Sequence, residues 1–522
     1  MHKSYDNFIK LAIKKLSPAT ENFSTLKKDL SGYLKLKMPT NADLRGHYEE
    51  MIQKRKVKRS PQFEKLLLSR KIRTASGVAI VAVLTKEYPC PGECIYCPTE
   101  KGMPKSYLSD EPAVMRAITS KFDPYHQVQS RLNALELNGH ATDKIELIVM
   151  GGTFSCLPKK YQNWFITECF RACNEYPRHK TYKTKHGTEL NMLLEKEQRR
   201  NEEAKHRIIG LTLETRPDHV DKKEIVNFRK LGATRVELGV QSIFDEVLEK
   251  NKRGHLVEET IRATKLLKDA GFKINYHIMP GLWGSSSKKD YQMFKELFSN
   301  SDFQPDMLKI YPTLVIKGSA LYNIWKAKKY QALNDKQFEK LILKIKNEFI
   351  PPYVRIARLV RDVPTGRIIA GPKISNLRQI IAQKSHCPCI RCREVGSDYQ
   401  INEKIILDRI DYPASDGQEI FLQYVSPDKK KLFALLRLRI NSNNSAIIRE
   451  VHTYGKLTKI NEKDATSPQH IGLGKKLILE AERIAKKEFG IKKIAVISGV
   501  GVRGYYRKLG YKLKDTYMVK TV

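Results

Sequence analysis

Cys90-Pro-Gly-Glu-Cys94-Ile-Tyr-Cys97 sets three thiols with three and then two residues between them, and Gly92 eases the turn that lets them converge on one small metal assembly. Structural zinc takes four ligands, and cubane iron–sulfur clusters are normally held by four cysteines. Three cysteines leave one iron of a 4Fe-4S cluster open to a ligand of its own. Structural zinc, or thiols clustered by chance, are the competing readings. A second group, Cys387, Cys389 and Cys392 in His386-Cys-Pro-Cys-Ile-Arg-Cys, is a candidate zinc site with His386 or a distant histidine as fourth ligand. Free reduced thiols are its alternative. Six of the nine cysteines thus fall in two tight groups, which argues for metal binding rather than disulfides. Cys156, Cys169 and Cys173 read as ordinary, partly buried thiols.

Such groups need a scaffold. Apolar, β-branched runs at 78–84, 145–150, 208–213, 235–240, 274–279 and 307–311 read as buried parallel strands. Helical patterns lie between them at 112–138, 159–175, 221–231, 257–270 and 288–299. Six βα-type units predict a partial barrel of parallel strands, with a doubly wound sheet as the alternative topology. In such folds the reacting groups gather where the strands end. After the first strand comes the cysteine loop; later strands are followed by Gly151-Gly152-Thr153, Glu214-Thr-Arg216, Gly-Val-Gln241, His277-Ile-Met-Pro-Gly281 and Tyr311-Pro-Thr313. Gly151, Gly152, Thr153, Glu214, Arg216 and Gln241 are therefore candidates for holding a cofactor. Each alone reads as a turn or a surface ion pair; together they share one rim.

The polar stretch 180–207 reads as an exposed insertion. The alternation stops at Pro351-Pro352, and Arg355, Arg358 and Arg361 lead into the second cysteine group. One barrel has one active rim, which disfavours a second redox cluster there. Residues 400–522 read as a separate α/β domain with strands at 419–425, 432–440 and 446–451. Gln469-His-Ile-Gly472-Leu-Gly474-Lys475 then opens a helix over 474–489, followed by a strand at 494–498 and Tyr505-Tyr506-Arg-Lys-Leu-Gly-Tyr511. Glycines at a helix start bare backbone N–H groups at the positive end of the dipole, a seat for pyrophosphate. The predicted organisation is a basic region (1–76), a barrel (77–350), a linker (351–399) and an α/β domain (400–522).

Lys plus Arg number 95 against 57 Asp plus Glu, a formal net charge of +38, so polyphosphate and above all nucleic acid is the expected partner. A generic solubility role is the bland alternative. Residues 1–76 carry 18 basic against 7 acidic residues, and 54–73 holds nine basic residues against Glu64 alone. Lys54, Arg55, Lys58 and Arg59 are candidate RNA-backbone contacts on helices with one basic face; a solvated face is the alternative. No apolar run approaches a membrane span, and the first residues lack the apolar core of a secretory signal. The chain therefore reads as soluble and cytoplasmic.

The spacing of Cys90, Cys94 and Cys97 is that of the radical S-adenosylmethionine (SAM) enzymes, whose open cluster iron chelates SAM. The strand, glycine loop, helix, strand and Tyr-x-x-x-Gly-Tyr order of the last domain resembles the GNAT acetyl-CoA-dependent N-acetyltransferases. Both in one chain, with a cysteine-rich linker, resemble the catalytic subunit of Elongator and its single-chain prokaryotic relatives, the tRNA wobble-uridine carboxymethylation enzymes. Supporting strings are Ser109-Asp-Glu-Pro-Ala-Val-Met-Arg-Ala117, Phe122-Asp-Pro-Tyr125, Met150-Gly-Gly-Thr-Phe154, Glu214-Thr-Arg-Pro-Asp218, Arg449-Glu-Val-His-Thr-Tyr-Gly455 and Ile494-Ala-Val-Ile-Ser-Gly-Val-Gly501. They cover the chain from about residue 70 to its end. The chain departs from the eukaryotic subunits, which have a longer gap between the first two cysteines and do not keep the zinc candidate intact.

The resemblance implies that Cys90, Cys94 and Cys97 hold a catalytic 4Fe-4S cluster. It implies that Lys144, Glu450, Val451, His452, Thr453, Leu473, Gly474, Lys475 and Tyr506 contact acetyl-CoA, Tyr506 with a catalytic part. The implied reaction begins when one electron from an external donor reduces the cluster and SAM is cleaved. The resulting 5′-deoxyadenosyl radical takes hydrogen from the acetyl-CoA methyl group, the carbon radical adds to C5 of uridine, and thioester hydrolysis leaves 5-carboxymethyluridine. A single-stranded anticodon loop offers the splayed base. Two competitors remain: a protein lysine acetyltransferase with a structural cluster, and a non-enzymatic tRNA scaffold. The expected partners are the anticodon stem-loop of tRNA and an electron donor, with a homodimer as one alternative to a chain that works alone.

Overall fold

The computed structural model describes residues 2–16, 23–68, 77–177, 190–396, 403–455 and 472–522. Arg70, Lys71 and Arg73 of the basic stretch, 180–189 of the insertion, and Gln469 to Ile471 of the glycine loop lie outside the described residues.

The six expected strands form as β1 (Ala79–Leu84), β2 (Lys144–Met150), β3 (Arg207–Thr215), β4 (Arg235–Gln241), β5 (Lys273–Ile278) and β6 (Met307–Ile310). Each pairs in parallel with the next, which selects the open half-barrel over a doubly wound order. Along β1, β2, β4, β5 and β6 the core aliphatic side chains alternate and pack against the surrounding helices, while the residues between them, many of them polar or charged, face a cavity inside the barrel.

Two short strands, β7 (Val315–Ile316) and β9 (Ile368–Ala370), pair as a ribbon, and between them β8 (Arg355–Arg358) adds to β6 in parallel. The sheet therefore has seven strands, not six, and the stretch after Pro351-Pro352 supplies the last. Its four residues, Arg-Ile-Ala-Arg, offered no apolar run by which to recognise it.

Two further expectations change. The helix predicted over 112–138 breaks, because Lys121 and Phe122 take positive φ and Asp123 caps a new helix at Pro124, accepting from His126 N–H at 2.9 Å. In the segment read as an exposed insertion, the helix Leu190–Asn201 buries Leu194, Gln198 and Asn201. Fully buried Asn201 donates to His206 O (3.1 Å) and accepts from Ile208 N–H (2.7 Å), so it fixes the entry into β3.

Residues before β1 form α1 (His2–Lys15), α2 (Phe23–Tyr33), α3 (Asn41–Gln53) and α4 (Pro61–Leu67) around their own core of Phe8, Leu30, Leu44, Tyr48, Met51 and Phe63. Gly46 of α3 meets Leu137 at the end of the helix Pro124–Leu137. That helix begins beside the end of β1, where Gln127 exchanges two hydrogen bonds with Leu84. The unit is thus attached at the end of the barrel remote from the cysteine rim.

The last domain is a seven-stranded sheet. Its strands are β10 (Ile406–Ala414), β11 (Gly417–Val425), β12 (Leu432–Ile440), β13 (Ala446–Thr453), β14 (Lys493–Val496), β15 (Lys512–Lys514) and β16 (Tyr517–Thr521). Their order is β10-β11-β12-β13-β14-β16-β15. β10, β15 and β16 were not foreseen. All pairs are antiparallel except β13 with β14, which run parallel and stay paired only over 446–448 and 494–496. Beyond Ile448 the two diverge, and the helix Leu473–Lys487 packs on β12 and β13 at that opening.

The two sheets are joined by buried charge. Asp306, just before β6, pairs with Arg449 and Arg437 of the second sheet, and Lys268 of the barrel lies 3.6 Å from Glu419. The turn at Gly499 abuts β3 so closely that a Cβ there would overlap the carbonyl of Ile209.

A candidate active site between the cysteine loop and the second sheet

The cysteine loop follows β1 on the rim. Cys97 N–H bonds to Cys94 O at 3.1 Å and Ile95 N–H to Asn251 O at 3.2 Å, which turn the chain back on itself. Hydrogen bonding from Cys97, opposed by burial and helped by the Arg253 guanidinium, draws the Cys94 thiol down to about 4. Gly151 has φ +135° and a Cβ would overlap the Thr85 hydroxyl, so only glycine fits where β2 ends. Thr153 Oγ1 then lies 4.0 Å from Cys90 Sγ. Glu214 accepts from Tyr107 OH at 2.8 Å, and Arg216 forks onto Asp218 at 2.7 and 2.9 Å. Gln241 takes φ +70° at a register shift in β4, a strained conformation of the kind that collects at functional sites.

One cavity of ≈ 1350 Å³ is lined by Cys90, Cys94, Cys97, Gly151, Gly152, Thr153, Glu214, Arg216 and Gln241. The rim predicted from strand ends is therefore one place. Two buried atoms there, Arg216 Nη1 and Gln241 Oε1, have no hydrogen-bond partner, as a site built for a polar ligand requires. The sulfurs of Cys90, Cys94 and Cys97 are not gathered within 4.8 Å of one another, whereas those of Cys387, Cys389 and Cys392 are. Tetrahedral zinc wants its sulfurs that close and a multi-iron cluster spreads them wider, so the two groups suit different occupants. His386 does not join the second group; its backbone N–H bonds Asn347 Oδ1. Lys346 donates to Cys392 Sγ at 3.5 Å, and Ile390 N–H reaches Val354 O, tying this knot to β8.

The barrel interior carries a charge network that no local motif announces. Glu237 on β4 pairs with Lys309 on β6, and its Oε2 lies 2.9 Å from His277 Nε2 on β5. Burial would push the Glu237 carboxyl up, but Lys309 and His277 outweigh it and hold it well below the usual range. Lys309 also lies 3.9 Å from Glu214 at the rim, and Arg235 lies 3.0 Å from Glu146 deeper in. At the far end Lys273 pairs with Glu450 at 3.0 Å and Arg437 with Glu450 at 2.9 Å, the latter two on the second sheet. All of these line the same cavity, as do His452 and Tyr454, whose rings stack at 4.3 Å. The sequence signal was a charged residue inside an apolar strand, which gains meaning only when strands are placed side by side.

Of the residues expected to contact acetyl-CoA, Glu450 and His452 reach the cavity. Val451 and Thr453 stand beside Gly474, whose Cβ position is 3.5 Å from Thr453 Oγ1 and 3.4 Å from Tyr505 OH. Leu473 is buried under the helix start, Lys475 is exposed, and Lys144 sits partly buried at the first residue of β2, where burial lowers its amine. Tyr506 packs edge-on against Tyr511 in the core and lines no part of the cavity. Its neighbour Tyr505 is the one that faces the helix start.

Residues 89–286 match the Radical SAM superfamily and residues 305–386 the Radical SAM C-terminal domain. The half-barrel with its cysteine rim is thus a radical SAM domain, which carries with it a 4Fe-4S cluster and SAM, and the donor set on the rim fits both. The tRNA uridine(34) acetyltransferase of Methanocaldococcus infernus is 46% identical over 483 residues, covering 87% of this chain and 88% of the relative. Elongator complex protein 3 of Homo sapiens is 39% identical, covering 88% of each. A solved structure of Methanocaldococcus infernus Elp3 lacking its N-terminal residues superposes with a TM-score of 0.72 at 43% identity, over 86% of this chain and all of that one. This chain belongs to the family of tRNA uridine(34) acetyltransferases and Elongator complex protein 3.

Proposed function

We propose that this protein converts the wobble uridine of tRNA, uridine 34 in the naming of its relatives, to 5-carboxymethyluridine with SAM and acetyl-CoA. The carrying observation is the single cavity that joins the cysteine rim to Glu450 and His452 on the second sheet. Cys90, Cys94 and Cys97 hold the cluster, and Glu214, Arg216, Gln241 and the Gly151–Thr153 turn hold SAM. Bound there, the cluster and SAM supply a radical that takes hydrogen from a methyl group.

The second sheet is a GNAT-type acetyl-CoA domain in this reading. Its β13–β14 divergence admits the pantetheine arm, and the Leu473–Lys487 helix start seats the pyrophosphate. Glu450, Val451, His452 and Thr453 flank the arm, Tyr505 stands beside it, Lys144 and Lys475 meet its phosphates, and Tyr506 backs it from the core. The acetyl end then enters the barrel past Lys273 and Arg235, where Glu237 holds His277 and Lys309 in place around it. Cys387, Cys389 and Cys392 supply three thiolates to a zinc ion whose fourth ligand is not His386, and brace β8. Residues 1–76, with Lys54, Arg55, Lys58 and Arg59, hold tRNA backbone while the anticodon loop delivers its base to the rim; phosphate contacts position without reading sequence. The enzyme works in the cytoplasm.

Purified protein incubated with tRNA, SAM, acetyl-CoA and reductant should yield 5-carboxymethyluridine by nucleoside mass spectrometry, and acetyl-CoA turnover should need tRNA. Turnover that needed a lysine peptide and ignored tRNA would establish the lysine acetyltransferase instead.

A further inference from the structure

The layer directly outside the cysteine loop is bonded to it. Ile95, next to Cys94, donates to Asn251 O and accepts from Leu321 N–H at 2.8 Å. Asn251 Nδ2 donates to Trp283 O at 2.8 Å, and Trp283 Nε1 donates to Lys329 O at 3.2 Å. A short chain of covalent and hydrogen bonds therefore runs from Cys94 to a partly exposed indole. Lys250 Nζ lies 4.7 Å over that indole, and Tyr322 and Trp325 stack with centroids 6.1 Å apart. Lys250, Lys252, Lys328 and Lys329 are exposed. From Val315 to Asn334 the chain has four lysines and no Asp or Glu. On the helix bearing Lys250, Asp245 accepts from Val257 N–H and Glu246 pairs with Lys289, which leaves Glu249 as its remaining acid.

We propose that this face, centred on Trp283 and ringed by Lys250, Lys252, Lys328 and Lys329, docks an acidic, low-potential one-electron carrier protein of the flavodoxin or ferredoxin type. The inference rests on the reading of Cys90, Cys94 and Cys97 as cluster ligands. In the docked complex the carrier loses one electron and the cluster gains it; no atom moves and no bond changes. Lysines around an aromatic centre supply charge complementarity and a desolvated contact. RNA is the competing occupant, and the bonded path from this face to the residue beside Cys94 favours the electron carrier.

The test uses the full chain with its cluster reconstituted, and the triple variant Lys250→Glu, Lys328→Glu, Lys329→Glu. Hydroquinone flavodoxin is the protein probe and dithionite the small-molecule control, with cluster bleaching followed by stopped flow. We expect the variant to be reduced by flavodoxin about tenfold more slowly or worse at low salt, with the salt dependence flattened. Its dithionite rate, iron content and tRNA affinity should match the parent. Titration of oxidised flavodoxin into cluster-free protein should likewise show low-salt binding that the variant loses. Equal flavodoxin rates in parent and variant would overturn the proposal, and loss of tRNA affinity with flavodoxin reduction intact would make the face an RNA surface instead. A parent that takes up no iron would overturn the cluster reading beneath it, an outcome the iron assay separates from the others.

Discussion

A buried glutamate makes the most exposed single commitment in the barrel. Glu237 is 1% exposed, pairs with Lys309 and meets His277 Nε2, so removing its charge leaves the buried Lys309 ammonium without its nearest partner. Breaking one side of such a pair costs about 3–5 kcal/mol. Glu237→Gln should lower stability by an amount of that order in denaturant unfolding. Because the folded carboxyl is held below its unfolded value of about 4.3, the stabilisation is complete above that value and disappears as pH falls through the folded one. The Gln variant should therefore approach the parent in acid and differ most near neutrality; an unchanging gap between pH 3 and 7 (a span of about four units) would contradict the pairing. Cys94→Ala is the complementary residue-scale change. It should abolish iron retention by elemental analysis and SAM cleavage together, and full iron content in that variant would remove Cys94 from the cluster.

Elements differ in how far the chain announces them. Strands β2 to β6 were legible because β-branched apolar runs of strand length stand between helical patterns, and both cysteine groups stood out because their thiols are neighbours in sequence. Strand β8 was not legible, since its four residues begin and end in arginine and Arg355 gains its partner, Glu394, only from a distant segment. Edge strand β10 alternates half-buried and exposed residues and carries Pro413, so it lacks the continuous apolar signal of a central strand. The Glu237 network and the Asp306 clamp escaped for one reason: their members come from separate strands, and only the assembled sheet brings them together.

That clamp makes an element-scale prediction. Burial pushes the Asp306 carboxyl up, but Arg449, Lys268 and Arg437 overcome it and hold it far below normal. Docking of the two sheets should be secure above the unfolded value of about 3.9 and weaken as pH drops below it. Two calorimetric transitions in place of one should appear in acid for the parent, and already at neutral pH for Asp306→Asn. Gly499→Ala should separate the sheets by the same assay at any pH, because its Cβ has no room beside Ile209. A single unchanged transition in either variant would show that the interface is not set by these contacts.

At the scale of the molecule, charge and cavity divide the work. The net charge of +38 and the helical unit remote from the rim suit a long polyanion held at several points. Reversing Lys54, Arg55, Lys58 and Arg59 should weaken binding of all tRNAs alike and reduce its salt dependence, while SAM cleavage without tRNA stays at the parent rate. Filter binding across a salt series checks this, and an unchanged low-salt affinity would remove the unit from tRNA recognition. The central claim is that one chamber brings the methyl group of acetyl-CoA to the radical made at the cysteine rim. Its most direct test supplies acetyl-CoA deuterated at that methyl group, with SAM, reductant and tRNA, and weighs the 5′-deoxyadenosine produced. A single deuterium in 5′-deoxyadenosine, with the remaining two in the carboxymethyl group of the uridine, is the expected result. Unlabelled 5′-deoxyadenosine alongside modified tRNA would contradict the shared chamber.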